Sequence, residues 1–318
     1  MLLFRIFFLL LIALFGCNHE YAVVAPERIV YVETETEVEV EVDKDPGDVW
    51  VESFIQPNTV NGVDILWVID QSCSMRDDDA RIVKGIDTMM NSLPSSGWRL
   101  NIVSADEIRV LEHKEFPLVP GDTIADAYAL YDVVKDRRGG RENGLSAAYE
   151  YITNNPDSKY WMRSDAALLV VFVSDEDDHS NYDFPDVSDF TSWYGSLRSE
   201  GSTFLSSIVH LPTEDSICSA PSSWTGDRYI EATNHFSGVI VDICSEDWSS
   251  GVADAATKIK PHEEWPLVNK PKADSIVVFI DGTPSKDWHY DAPNNTVVFD
   301  IIPPPSSLVE IGYLIETN

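Results

Sequence analysis

The sequence predicts an α/β fold in which a doubly wound, mostly parallel sheet is followed by a small C-terminal antiparallel β module. Apolar runs rich in β-branched residues, at 65–69 and 168–173, are typical of strands buried on both faces. Segments with helical periodicity, about 10 to 15 residues long, separate such runs and favour βαβ units. After the Pro-containing linker 261–272 only short strands are predicted, which indicates a different, antiparallel arrangement.

The first residues have the properties of an export signal. Arg5 is the only charge in 1–16, and the apolar stretch that follows it is too short for a membrane span. The segment Leu14–Cys17 resembles a bacterial lipobox. This resemblance implies cleavage before Cys17 and a lipid on its sulfur that anchors the protein in the cell envelope. An ordinary signal or an uncleaved anchor is the alternative. If the protein is a lipoprotein, Asn18 after the cysteine favours attachment to the outer rather than the inner membrane.

Residues 17–48 are predicted to be an acidic tether. Glu alternates strictly with Val or Thr over 32–42, which has the period of a strand. One face of such a strand would be entirely Glu, however, and self-repulsion along it favours an extended spacer. A strand remains the alternative, and Lys44–Asp48 marks the end of the segment.

The composition limits the class of partner. The 318 residues include 54 acidic and 22 basic side chains, giving a formal charge of −32. Because nucleic-acid binding requires clustered Lys and Arg, this class of partner is excluded. With 44% hydrophobic residues the chain can bury a full core.

An α/β domain is predicted over 49–262. Its strands are expected at 64–69, 98–104, 168–173, 203–211 and 238–243, and its helices at 77–93, 125–135, 143–152, 190–198, 229–236 and 248–259. The small β module is predicted over 272–318, with strands near 275–280, 296–301 and 308–315. No motif in this module indicates a chemical role.

Oxygen-bearing side chains follow two of the buried strands. Asp70, Ser72 and Ser74 come directly after the first strand, and the strand 168–173 is followed by a run of acids that begins at Asp175. Ligands of parallel sheets bind at the carboxyl ends of the strands, where both loops are expected. Hydroxyls and carboxylates are the donors that Mg²⁺, Mn²⁺ and Ca²⁺ prefer. The sequence therefore predicts one divalent-cation site formed by two loops.

This Asp-x-Ser-x-Ser pattern, with Asp175, resembles the metal-ion-dependent adhesion site of von Willebrand factor type A domains, over roughly 62–260. The resemblance implies a Rossmann-like fold, direct metal ligation by Ser72 and Ser74, an orienting or water-mediated role for Asp70, and an acidic ligand at Asp175. Two alternatives remain. The hydroxyls can cap a helix, and the acids can form a solvated turn.

The sequence departs from the family pattern at one ligand. Where the family has a Thr before the third helix, the loop 139–145 has none, and Glu142 is the available oxygen donor. A carboxylate there would make the cation less electrophilic, which weakens the expectation of adhesion through a partner's acidic side chain. The cation site itself remains expected.

The four cysteines allow several pairings. With lipid on Cys17, a disulfide between Cys218 and Cys244 is the first choice in an exported protein, although Cys73 can pair with either. A thiol enzyme built on Cys73 and His179 is conceivable. No catalytic motif supports it, and the chain is not expected to be an enzyme.

The predicted function is that of a lipid-anchored, exported protein that binds a protein or glycan ligand, as in adhesion, through a divalent cation at the cell envelope. The expected metal-site residues are Asp70, Ser72, Ser74, Glu142 and Asp175. The alternative is a structural or assembly component of the envelope that the cation stabilises without an external ligand.

Overall fold

The computed structural model describes residues 48–136, 141–212, 215–217 and 224–316. The predicted signal peptide 1–16, the lipidation site Cys17, nearly all of the tether 17–48, and Cys218 lie outside these residues. Within the described part of the chain, no helix has both the length and the hydropathy needed to cross a bilayer.

Five parallel strands form the central sheet. They are β2 (Val63–Ile69), β3 (Trp98–Ser104), β4 (Ala167–Ser174), β5 (Thr203–Val209) and β6 (Ile240–Asp242), in the spatial order β3-β2-β4-β5-β6. Every residue of β2 and β4 is buried, which explains why residues 65–69 and 167–173 of these strands are uninterrupted apolar runs rather than alternating ones.

Helices cover both faces of this sheet. They are α1 (Asp79–Ser92), α2 (Ile124–Asp136), α3 (Gly144–Asn154), α4 (Val187–Gly195), α5 (Asp227–His235) and α6 (Ser249–Lys258). Helices α1, α2 and α6 pack with Ile65, Trp67 and Ile69 in one core. Helices α3, α4 and α5 pack with Leu66 and Val68 in a second core. The alternating residues of β2 therefore serve two different hydrophobic cores.

Two antiparallel sheets form the rest of the described chain. One contains β1 (Val49–Ile55), β8 (Val277–Ile280), β9 (Thr283–Ser285) and β12 (Leu308–Leu314), in the order β1-β12-β8-β9. The other contains β7 (Glu264–Pro266), β10 (Trp288–Asp291) and β11 (Thr296–Phe299), in the order β10-β11-β7. Side chains of both sheets share a third core, which includes Val278, Val297 and Val309.

The predicted fold class, a doubly wound, mostly parallel sheet with a small C-terminal antiparallel module, is wrong. Seven of the twelve strands in the described residues belong to antiparallel sheets, and one of them, β1, precedes the parallel sheet in the chain. The protein has a mixed α/β fold that does not clearly match the doubly wound sheet of a von Willebrand factor type A domain. The sequence argument failed because β1 pairs with β12 at the far end of the chain, and no local period reveals such a partner.

The register of the central sheet brings the two predicted loops together. In the parallel pair β2–β4, Ile69 lies opposite Val173. The pairing continues past the end of β2, because the amide of Asp70 donates a 2.8 Å hydrogen bond to the carbonyl oxygen of Val173. Both strands therefore end at the same edge of the sheet, with Asp70 beside Ser174.

Candidate metal centre

Asp70 lies at the base of the candidate centre, where it is only 1% exposed. Its Oδ1 accepts a 2.7 Å hydrogen bond from the backbone amide of Ser72. Its Oδ2 accepts a 2.9 Å hydrogen bond from the hydroxyl of Ser174. Both donors are uncharged. The carboxylate thus orients the turn that carries Ser72 and has no cationic partner among the described contacts.

Three further oxygen donors form a chain above Asp70. The hydroxyl oxygens of Ser72 and Ser74 are 2.7 Å apart, and the Ser74 hydroxyl donates to Asp175 Oδ1 at 3.1 Å. The short 3₁₀ helix Ser74–Asp78 and the helix α1 that follows it have no side-chain cap. The hydroxyls therefore point at each other and at the second loop, and they do not satisfy helix amides.

The electrostatics of the centre disfavour negative charge. Burial is the main cause that raises the pKa of Asp70 to about 6, and the nearby charge of Asp175 adds to it. Burial also raises the pKa of Asp175, although the hydrogen bond from Ser74 opposes this change. Two desolvated carboxyl groups with no described Lys or Arg contact would both be stabilised by a bound cation.

The residues present fit a hard divalent cation. All the donors of the centre are hydroxyl or carboxylate oxygens from two adjacent loops, the type of ligand that Mg²⁺, Mn²⁺ and Ca²⁺ take. Ser74 is exposed, whereas Asp70 is buried. The donor set is thus buried in the protein at Asp70 and accessible to solvent at Ser74.

Glu142 lies in the same region but makes different contacts. Its Oε2 is 3.3 Å from Nδ1 of His179, and its carboxyl group is hydrogen-bonded to that of Glu176. Burial, followed by the charges of Asp70 and Glu176, raises its pKa to about 8. Its described contacts include neither serine hydroxyl, so its role as a ligand that replaces the missing Thr stays a prediction.

The other acids of the second loop have structural partners. Asp178 is completely buried on its side chain and accepts hydrogen bonds from Arg228 Nε and from the amide of Leu145, both at 3.0 Å. Asp177 accepts a hydrogen bond from the backbone amide of Arg228. These two acids hold the loop against α3 and α5.

The described residues include two of the four cysteines, Cys73 and Cys244. Cys73 is exposed and free, and no contact between its sulfur and the His179 ring is found in the described part of the chain. Cys244 is disulfide-bonded, while its predicted partner Cys218 lies outside the described residues. A disulfide sulfur is not a thiolate, so the neighbouring cluster of His210, Asp242 and Cys244 does not offer a three-ligand metal site in this state.

Sequence reasoning missed two contributors to the centre. Ser174 is the last residue of β4 and is buried, so its position predicts only a strand end. Its hydroxyl nevertheless contacts Asp70. His210 follows β5, and its charge lowers the pKa of Asp175. Only the parallel register of β4 and β5 could have indicated either residue.

A sizeable cavity lies elsewhere in the described part of the chain. It has a volume of about 620 Å³ and is lined by residues of β1, the start of β5, and the segment that carries His262 and Trp265. Its walls include the stacked rings of Phe54 and Trp265, whose centroids are 4.3 Å apart. None of the residues expected to bind metal lines it. We therefore place the candidate centre at the carboxyl edge of the sheet, on the basis of its chemistry.

Comparisons with known proteins do not assign the chain to a family. No protein-family profile matches the sequence, and no curated protein is significantly similar to it. Among solved structures, the pilus adhesin SpaC from Lactobacillus rhamnosus GG, in its open conformation, has a TM-score of 0.40 and 11% identity, covering 86% of this chain and 42% of the adhesin. Proximal thread matrix protein 1 from the mussel byssus has a TM-score of 0.40 and 13% identity, covering 66% of this chain and 50% of that protein. The chain spans at most half of these proteins, and scores this low carry no argument about fold or function.

Proposed function

We propose that this protein binds a divalent cation, Mg²⁺, Mn²⁺ or Ca²⁺, at the carboxyl edge of its parallel sheet. Ser72, Ser74 and Asp175 are the direct ligands in this proposal, and Asp70 fixes the turn that presents the serines. The observation that carries the proposal is Asp70 itself: a fully buried carboxylate with uncharged donors, beside three oxygen atoms 2.7–3.1 Å from their neighbours.

We further propose that the cation recruits a protein or glycan ligand at the cell envelope. When bound, a divalent cation supplies a coordination position that an external oxygen can occupy. Ser74 is exposed, so the centre faces solvent and has room for such an oxygen. This openness favours ligand binding over a purely structural ion. Export and lipid attachment at Cys17 would place the centre in the cell envelope.

The cation is tested by calorimetric titration of Mg²⁺, Mn²⁺ and Ca²⁺ into chelator-treated protein. We expect binding by the wild type, and at least a tenfold loss of affinity in Asp70→Asn and in the double variant Ser72→Ala/Ser74→Ala. The matched control is Ser192→Ala, an exposed serine on α4, which should bind as the wild type does. Equal affinity in the wild type and Asp70→Asn would refute the site.

The ligand is tested separately, on arrays of immobilised extracellular proteins and glycans, with and without chelator. We expect the wild type to bind at least one immobilised class in the presence of the cation. That binding should disappear with chelator and in Asp70→Asn. Binding that survives chelation would show that the ligand does not use the cation, even if the cation site is real.

A further inference from the structure

A second group of side chains that could bind a metal lies at the same edge of the sheet. Glu142, Glu176 and His179 each offer one ligand atom, and these atoms all lie within 4.8 Å of one another. Two carboxylate oxygens and one imidazole nitrogen thus converge on one point. None of the three residues has a described contact to the hydroxyls of Ser72 or Ser74.

The fold holds this group together through its backbone. Glu142 precedes α3, whereas Glu176 and His179 belong to the loop after β4. The amide of His179 donates a 2.8 Å hydrogen bond to the carbonyl oxygen of Glu142, which ties the two segments at this point. The imidazole Nδ1 is 3.3 Å from Oε2 of Glu142. The convergence therefore does not depend on one freely rotating side chain.

The group contains two adjoining carboxyl groups and one imidazole. The nearest cation in sequence, Arg141, is engaged by Glu107. A divalent cation with a neutral imidazole would balance both carboxylates.

We infer that Glu142, Glu176 and His179 form a separate site for a first-row transition-metal ion such as Zn²⁺. Imidazole suits Zn²⁺ and related ions better than it suits Mg²⁺ or Ca²⁺. Three protein ligands leave further coordination positions open, as in zinc sites that also bind an external group. The side chain of His179 is 55% exposed and that of Glu142 15% exposed, so the ion can enter from solvent.

This inference goes beyond the proposed function, because it assigns a second ion of a different chemical class. It does not require a cation at Ser72, Ser74 and Asp175. Each site can therefore fail without the other, and the two are separated by variants that change only one donor set.

The test is calorimetric titration of Zn²⁺ with Mg²⁺ already saturating. All proteins carry Cys73→Ser, so that the exposed thiol cannot bind the metal. We expect one Zn²⁺ equivalent in this background, and at least a tenfold loss of affinity in His179→Ala and in Glu176→Gln. The double variant Ser72→Ala/Ser74→Ala should keep its Zn²⁺. Co²⁺ absorption should show a nitrogen ligand that His179→Ala removes.

Matched controls come from two exposed residues of α5, changed as His235→Ala and Glu231→Gln. Both should bind Zn²⁺ as the parent does. The inference is overturned if the parent binds no Zn²⁺, or if His179→Ala binds it with unchanged affinity. Loss of Zn²⁺ in the Ser72→Ala/Ser74→Ala variant alone would place Zn²⁺ at the first site and also overturn it, while leaving the proposed function intact.

Discussion

The two ends of strand β2 each carry a buried aspartate, and the two are held differently. Asp64 is 0% exposed and Asp70 is 1% exposed. Asp64 accepts hydrogen bonds from Arg163 Nη2 at 2.6 Å and Nε at 2.9 Å, and from the Arg163 amide at 2.5 Å. The described donors to Asp70 are uncharged groups of two serines, Ser72 and Ser174.

The two carboxylates differ in whether a positively charged side chain contacts them. Burial raises the pKa of both carboxyl groups, and at Asp64 the guanidinium opposes that effect. A buried carboxylate is costly unless a cation or several donors compensate it. At Asp64 the compensation is covalently part of the chain. At Asp70 the described donors are uncharged, and this difference is the physical basis of the proposed metal site.

Removing the positive charge of Arg163 beside Asp64 is expected to have the largest effect on stability. Arg163→Ala would leave Asp64 buried without its charged partner, so the free energy of unfolding should fall by about 3–5 kcal/mol. Urea denaturation followed by tryptophan fluorescence measures this. The double variant Asp64→Leu/Arg163→Met, which buries no lone charge, should lose less. An unchanged urea midpoint in Arg163→Ala would remove the contrast between the two ends of β2.

A second variant tests whether neighbouring acids of one loop have different roles. Asp178→Asn would place an amide against the donors of Leu145, Ser180 and Arg228. We expect a loss of roughly 2–3 kcal/mol in the free energy of unfolding, with unchanged Mg²⁺ affinity in the folded protein. A tenfold loss of Mg²⁺ affinity under folding conditions would instead make Asp178 part of the metal centre.

The smallest expected effect is that of Asp175→Asn on stability, and its sign should differ with and without metal. Asp175 is partly buried, and the charge of Glu176 acts on it unfavourably. Asp175→Asn should therefore stabilise the metal-free protein by roughly 1 kcal/mol and weaken Mg²⁺ binding. Thermal unfolding in chelator and in saturating Mg²⁺ measures both terms. Destabilisation in both conditions would mean that the Asp175 charge supports the fold rather than a cation.

The sequence by itself determined the local elements of the parallel sheet and the location of the oxygen-rich loops. The apolar runs at 65–69 and 168–173 indicated β2 and β4 because strands buried on both faces are mostly apolar. The helices α1, α2, α3, α5 and α6 start and end within two residues of their predicted bounds. The residues 70–74 and Asp175 could be predicted to form one site because the two loops follow strands that end at the same edge of the sheet.

Only the tertiary structure decided which distant segments and donors meet. The partner of β1 is β12. Because this pairing is antiparallel, the fold is mixed rather than mostly parallel. The partner of Asp70 is Ser174, and the partners of Glu142 are Glu176 and His179. The periodicity of a sequence indicates which face of a segment is buried in a core. It does not indicate which distant segments of the chain pair with each other, as β1 and β12 do. The same residue type, an aspartate at an end of β2, therefore pairs with an arginine in one place and with uncharged serine donors in the other.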